Sequence, residues 1–190
     1  MRERYVLPAA IALKPLHQGK LSNFCGVYAI LNAIQLALYP QRLARAELQR
    51  LYHDAIELLA ARRKLKGLVV GGIDYDPWKT LVIELLEHVN DVHRATLKPV
   101  VFLTGSAAFN RKRALDCIKS NLLAQRPITT IFGGYLNHCS VICGYSERRL
   151  FLFDSAGLRW IGAQNLGLRE YSSHKHWLLA DYTFAIVDDW

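Results

Sequence analysis

The chain has 190 residues, enough for one ordinary domain that buries a core without help from disulfides or metals. Apolar residues at 52% and charged residues at 21% stand close to globular averages, which excludes wholesale disorder. The formal charge of +8 draws acidic partners at long range. Its clusters, Arg62-Arg63-Lys64, Arg111-Lys112-Arg113 and Arg148-Arg149, lie in separate segments without interleaved aromatics, so nucleic acid is not the expected partner.

The N-terminal residues carry charge at Arg2, Glu3 and Arg4 and lack an apolar core ending in a small-residue cleavage site. Cytoplasmic synthesis is therefore expected, and export by a signal-independent secretion system is compatible with it. A helix is expected over Phe24 to Leu38, the most apolar segment, but Asn32 and Gln35 interrupt it, so it reads as a buried helix and no membrane span is expected. The spacing of Leu48, Leu51, Tyr52, Ile56 and Leu59 predicts a second helix over Arg45 to Ala61. Gly67 to Asp76, with Gly71-Gly72, reads as a loop, Pro77 to His88 as a helix, Ala95 to Leu103 as extended chain, and Arg111 to Ala124 as a last helix. From Pro127 the pattern changes to short β-rich runs at Ile128 to Phe132, His138 to Tyr145, Leu150 to Phe153 and Tyr182 to Val187. Without repeats or linkers, this predicts a single α+β domain over 1–190. A helical part, about 1–125, packs on an antiparallel sheet, about 126–190.

The chemistry collects where a polar loop, from Gln18, runs into the apolar helix and places Cys25 in its first turn. Unpaired N–H groups and the positive end of the helix dipole favour a thiolate there. Gly26 leaves room beside the sulfur for a substrate carbonyl, the Cys25 backbone N–H can face a developing oxyanion, and Ser22 or Asn23 can cap the helix. Read alone, Cys25 is equally a small buried hydrophobe.

A second segment, Asn137-His138, opens a strand that a hairpin returns toward Asp154-Ser155. If the connection is the three residues Ser146 to Arg148, Ser140 stands opposite Asp154, and His138, Ser140 and Asp154 share one face. A two- or four-residue loop would turn Asp154 away. With the favourable parity, the carboxylate fixes the tautomer of His138 and leaves the other ring nitrogen for the Cys25 thiol.

The run Cys25-Gly26-x-x-Ala29-x-x-Asn32 after Gln18, His138 at the head of Val141-Ile142-x-Gly144-Tyr145, and Asp154 sixteen residues on resemble papain-like cysteine peptidases. With Arg126-Pro127-Ile128 and Phe153-Asp154 they are most similar to the bacteriocin-processing branch and its stand-alone relatives. The resemblance spans roughly residues 18 to 156. It implies a papain-like fold with Cys25 as nucleophile, His138 as base, Asp154 as its orienter and Gln18 as side-chain donor to the oxyanion hole. Ser22 and Asn23 are alternative donors, since Gln18 stands one residue further from the cysteine than is usual there. Asn23, Gly26 and Asn137 would line the binding site. Phe24 stands where that branch usually carries Asp, so leader-peptide processing is not implied.

The remaining candidates are weaker. Cys139 and Cys143 fall on the strand face opposite His138, about 13 Å apart and too far to share one metal ion, so they read as core. His17 is a rival base, and His174 and His176 form a polar edge. Neither metal nor cofactor is implied. The expected activity is thiol-dependent cleavage of a peptide or other amide bond in a peptide or protein substrate, through a Cys25 thioester. The compact format also suits an exported bacterial effector. The alternatives are an acyltransferase of the same fold and a non-catalytic binding module for an acidic protein.

Overall fold

A computed structural model describes residues 3–19, 23–108, 110–168 and 174–188. The chain begins with a short strand, β1 (Arg4–Val6), and a helical turn, α1 (Pro8–Ala12). The helical stretch follows: α2 (Cys25–Ala37), α3 (Arg45–Ala61), α4 (Leu65–Gly71) and α5 (Tyr75–His93). After β2 (Leu97–Val101) and α6 (Arg111–Leu123) come β3 (Ile128–Gly134), β4 (His138–Ser146), β5 (Arg149–Phe153), β6 (Trp160–Gly162), β7 (Leu166–Gly167) and β8 (His176–Asp188).

The strands make one open sheet in the order β2-β8-β3-β4-β5-β6, antiparallel except where β7 runs parallel to β8. The expected α+β architecture, helices packed against a mostly C-terminal antiparallel sheet, is the observed one. β4 is its centre, buried from Cys139 to Tyr145, so packed elements must cover both of its faces. Both α2 and α6 pack against it. β5 holds one edge of β4 over Val141 to Tyr145. On the other edge, β3 pairs as far as Ile128 opposite Ile142, and β1 continues from Val6 opposite Gly144. A side chain at Gly144 would meet the Tyr5 carbonyl at 2.5 Å, so this close crossing admits only glycine.

α2 is buried from Gly26 to Leu36 apart from Tyr28, and it spans β3, β4 and β8. Such a helix has no polar face to give to water, so Asn32 and Gln35 are satisfied internally. Asn32 Oδ1 accepts from Leu16 N at 2.8 Å and from Gln35 Nε2 at 2.8 Å, while Asn32 Nδ2 donates to the Leu16 carbonyl. α3 buries Leu51, Ala55 and Leu59, one per turn, and α5 buries a wider stripe led by Trp78. These residues join the sheet in one continuous core.

Gly67 to Asp76, expected as a loop, contains most of α4. Its Leu68 is fully buried and closes on the helical layer, and the stop comes only at Gly72, whose φ of 89° suits glycine. α5 begins two residues earlier and runs five further than the span from Pro77 to His88. β1, α1, β6 and β7 are too short to carry a period, while β8 starts six residues before the expected run from Tyr182 to Val187 and ends one beyond it.

Candidate functional site

Cys25 is the first residue of α2 and is half-buried. Phe24 is the N-cap residue and supplies no side-chain cap, which leaves the N–H groups of the first turn directed at that end of the helix. The expectation that Asn23 caps α2 is corrected: its amide donates to the carbonyls of Val69 and Val70 at 3.0 and 3.1 Å, tying the approach to α2 to the end of α4. Both amide hydrogens are thereby occupied, which weakens Asn23 as an oxyanion donor. Ser22 lies outside the described residues.

Gly26 does not provide room for a substrate. It is buried against Trp78 of α5 and against Ile73 just before that helix, where an added side chain would meet Ile73 Cγ2 at 2.4 Å and Trp78 at 3.0 Å, and its carbonyl accepts from Trp78 Nε1 at 3.2 Å. The glycine sets how closely α2 approaches α5, and so where the first turn of α2 sits over the sheet.

His138 is the first residue of β4, and its Nε2 lies 2.7 Å from Asp154 Oδ2. An ionised carboxylate only accepts, so Nε2 carries the proton and Nδ1 is the free position. The pairing arises differently from the hairpin expected. The turn has two connecting residues, Glu147 and Arg148, with Tyr145 opposite Leu150. That parity would carry Asp154 away from His138. A bulge between Ile142 and Gly144 inserts one residue, after which Val141 faces Phe153 and the register beyond matches the favourable one. Cys143 is the inserted residue. Its carbonyl accepts from Leu7 N at 2.8 Å, and its thiol points to the Phe151 carbonyl at 3.6 Å.

Asp154 is almost wholly buried. Its second oxygen accepts from the backbone of Ala156 at 2.9 Å and of Leu158 at 3.0 Å, which fixes the carboxylate without help from solvent. Burial works against its charge, but His138, then Ser140 and the Leu158 N–H, hold its pKa below the usual carboxylate value.

The Cys25 thiol feels three groups on β4. The influence of the Cys139 thiol is the largest, opposed by burial, and it is joined by those of His138 and the Cys139 backbone; together they lower the Cys25 pKa to about 4. Burial disfavours charge on His138 in turn, yet Asp154 and Cys25 outweigh it and raise the imidazole to about 9. Between those limits the favoured state is a thiolate beside an imidazolium. Cys139, expected as core, is buried and is also the largest influence on the Cys25 pKa. Its own pKa is pushed well above the usual thiol value, first by Cys25 and then by burial.

Gln18 runs beside the same rim: its backbone N donates to the Ser155 carbonyl at 3.1 Å, next to Asp154. The side chain is half-buried, and its Oε1 is buried without a hydrogen-bond partner. The segment is held from beneath by Asn32 through Leu16 and by Gln35 Nε2 on the Lys14 carbonyl at 3.4 Å. Asn137, exposed, takes φ 40°, a left-handed turn that asparagine tolerates and that aims the chain into β4.

His17, the rival base, places Nδ1 at 3.3 Å from the Ser155 carbonyl and is not among the groups acting on Cys25. His174 contacts Arg111, and His176 lies against the Tyr135 ring. Among the described residues, no cluster of three or more His, Cys, Asp or Glu could hold a metal ion. No helix among them is long and apolar enough to cross a membrane. Asn32, noted in the sequence only as an interruption of apolar character, anchors the Gln18 segment; a polar residue amid a wholly buried helix was the available signal. Cys139 gave none, since strand alternation assigns it to the other face. No family model, curated protein or solved structure matches the chain.

Proposed function

We propose that the chain is a papain-like thiol hydrolase that cleaves a peptide or other amide bond through a thioester on Cys25, with His138 as acid and base and Asp154 as its orienter. What supports this reading is the hydrogen bond of His138 to the buried Asp154 at the head of β4, together with a half-buried Cys25 at the uncapped start of α2, which packs on that strand and whose pKa His138 helps to lower.

In the first half-reaction the Cys25 thiolate attacks the carbonyl carbon, and the oxygen gains negative charge. The Cys25 backbone N–H at the start of α2 and the Gln18 side-chain amide are the donors assigned to that oxygen. The tetrahedral state collapses as Nδ1 of His138 gives its proton to the leaving amine, and the acyl group stays on sulfur. In the second half-reaction His138, now neutral, takes a proton from water, and the resulting hydroxide adds to the thioester. Collapse releases the acid and returns the thiolate and imidazolium. Throughout, Asp154 keeps the Nε2–H tautomer of His138 and balances the imidazolium charge. An amine or hydroxyl acceptor replacing water would make the same site an acyltransferase.

The test is a library of peptidyl probes bearing a thiol-directed electrophile, applied to the native chain and to His138→Ala. The expected result is a single adduct, on Cys25, with a preference among peptide sequences and a strong loss of labelling in the variant. Labelling that ignores the peptide portion, or is unchanged in His138→Ala, would contradict the proposal.

A further inference from the structure

Phe24, bonded directly to Cys25, and Tyr28, one turn further along α2, both pack on the Tyr52 ring of α3. Its centroid lies 6.2 Å from that of Phe24, edge to face, and 5.6 Å from that of Tyr28. Beside this aromatic group is a hollow of about 400 Å³, walled by Phe24, Tyr52, Ile56, Leu65 and Val69. The remaining lining is His53 and Glu57, both exposed. A hollow of that size falls within the range of ligand pockets, roughly 300–1,000 Å³.

Two further observations point to a ligand. Of the seven residues of α4 only Leu68 is buried, while Val69 is 52% exposed and Val70 75% exposed, so the short helix leaves two branched apolar side chains in solvent where the fold gains nothing from them. The hollow is also held in place relative to Cys25. Asn23, two residues before the cysteine, donates to the carbonyls of Val69 and Val70 at 3.0 and 3.1 Å, which ties the end of α4 to the entry of α2. The Cα of Phe24, a wall residue, stands one peptide step, about 3.8 Å, from that of Cys25.

We propose that this hollow is the specificity pocket of the site, and that the substrate is a polypeptide carrying a large apolar side chain, such as leucine or phenylalanine, within a few residues of the cleaved bond. The inference rests on the thiol-hydrolase reading and names the substrate class which that reading leaves open. An apolar side chain entering the hollow leaves water and covers Phe24, Ile56, Leu65 and Val69. An aspartate or glutamate side chain would give up hydration there and meet Glu57, with neither lysine nor arginine in the lining to pair with it. Glycine or alanine leaves the hollow unfilled.

The experiment incubates the full chain with a mixture of peptides from a digested cell extract and maps every new terminus by mass spectrometry, so that positions on both sides of the cut bond are read. At one position within about three residues of the cut, leucine or phenylalanine is expected to be favoured over alanine by at least about tenfold, and over aspartate and glutamate by more. Two substitutions then move the preference in different directions. Ile56→Trp fills the hollow and is expected to lower cleavage beside large apolar residues by about tenfold relative to cleavage beside alanine. Val69→Glu, at a half-exposed position where the fold tolerates a charge, adds a carboxylate to the wall and is expected to shift the preference toward lysine and arginine. Cleavage without an apolar preference at any position, or a preference that neither substitution alters, would overturn the inference while leaving the hydrolase reading intact. Cleavage of no peptide at all would overturn that reading, and the pocket assignment with it.

Discussion

His138 and Asp154 are joined by a 2.7 Å hydrogen bond only because Cys143 is an extra residue in β4. In the proposed function that bond gives Asp154 the part of a positioning residue for His138. Asp154→Asn keeps an oxygen for the N–H groups of Ala156 and Leu158, so the chain is expected to fold. It presents an amide to His138 Nε2 and removes the charge that holds the imidazolium. Probe labelling of Cys25 is expected to slow by roughly 10²–10⁴-fold, the range of a positioned acid or base, with the denaturation midpoint little changed. Asp154→Ala is expected to cost about 1–3 kcal/mol in urea denaturation as well, because both backbone donors lose their partner.

The paired titrations also predict how stability follows pH. Cys25 is lowered to about 4 in the folded chain, so its contribution is complete above the unfolded thiol value, about 8.5, and is lost as pH falls toward 4. His138 is raised to about 9, so its contribution is complete below the unfolded value, about 6.5, and is lost as pH rises through 9. From pH 4 to about 6.5 the unfolded chain therefore holds one more proton on this pair than the folded chain, and stability is expected to rise by about 1 kcal/mol per unit. From about 6.5 to 8.5 the two states hold equal numbers and a plateau is expected. Asp154, with its lowered pKa, adds a further loss on the acid side as pH falls through its folded value. Urea midpoints across this range check the shape, and Cys25→Ser is expected to abolish the rise.

Gly26→Ala places a methyl group 2.4 Å from Ile73 Cγ2 and 3.0 Å from Trp78. Overpacking of this kind costs about 1–3 kcal/mol, read as a lower urea midpoint. Since the crowding pushes the first turn of α2 away from α5, the Cys25 alkylation profile is expected to move to higher pH as well.

Asn32→Ala removes both bonds to Leu16 and the acceptor for Gln35, leaving buried polar groups without partners. The expected cost is about 1–3 kcal/mol. Proteolysis under native conditions is expected to speed up within residues 14–19, the segment that carries Gln18, while Asn32→Asp, which retains the acceptor oxygen, loses less.

Much of this site can be read before any coordinates, and the parts that cannot share a cause. The helical spacing of α3 and the apolar run of α2 mark those elements because burial on a helix repeats every three to four residues. Cys25 at a helix start and His138 at a strand start follow from the same patterns. What depends on a count across space is not legible: the two-residue turn at Glu147-Arg148 and the bulge at Cys143 each reverse the facing of Asp154, and only together do they restore it. Gly26 shows no sign of whether its missing side chain favours a ligand or Trp78. Cys139 follows His138 in the chain and alternates to the other face, so nothing in the sequence marks it as acting on the Cys25 pKa together with His138.

The central claim, that the Cys25 sulfur is ionised by its neighbours at neutral pH, is tested most directly by the pH dependence of its alkylation with iodoacetamide, read site by site in the native chain and in His138→Ala. The midpoint is the quantity to read, because a thiolate of low pKa is also a weaker nucleophile and the rate alone compresses the difference. The native midpoint is predicted near 4. His138→Ala is predicted to move it upward by about one unit or more. A native midpoint at the ordinary thiol value of about 8.5, shared with Cys117 and unmoved by His138→Ala, would contradict the account.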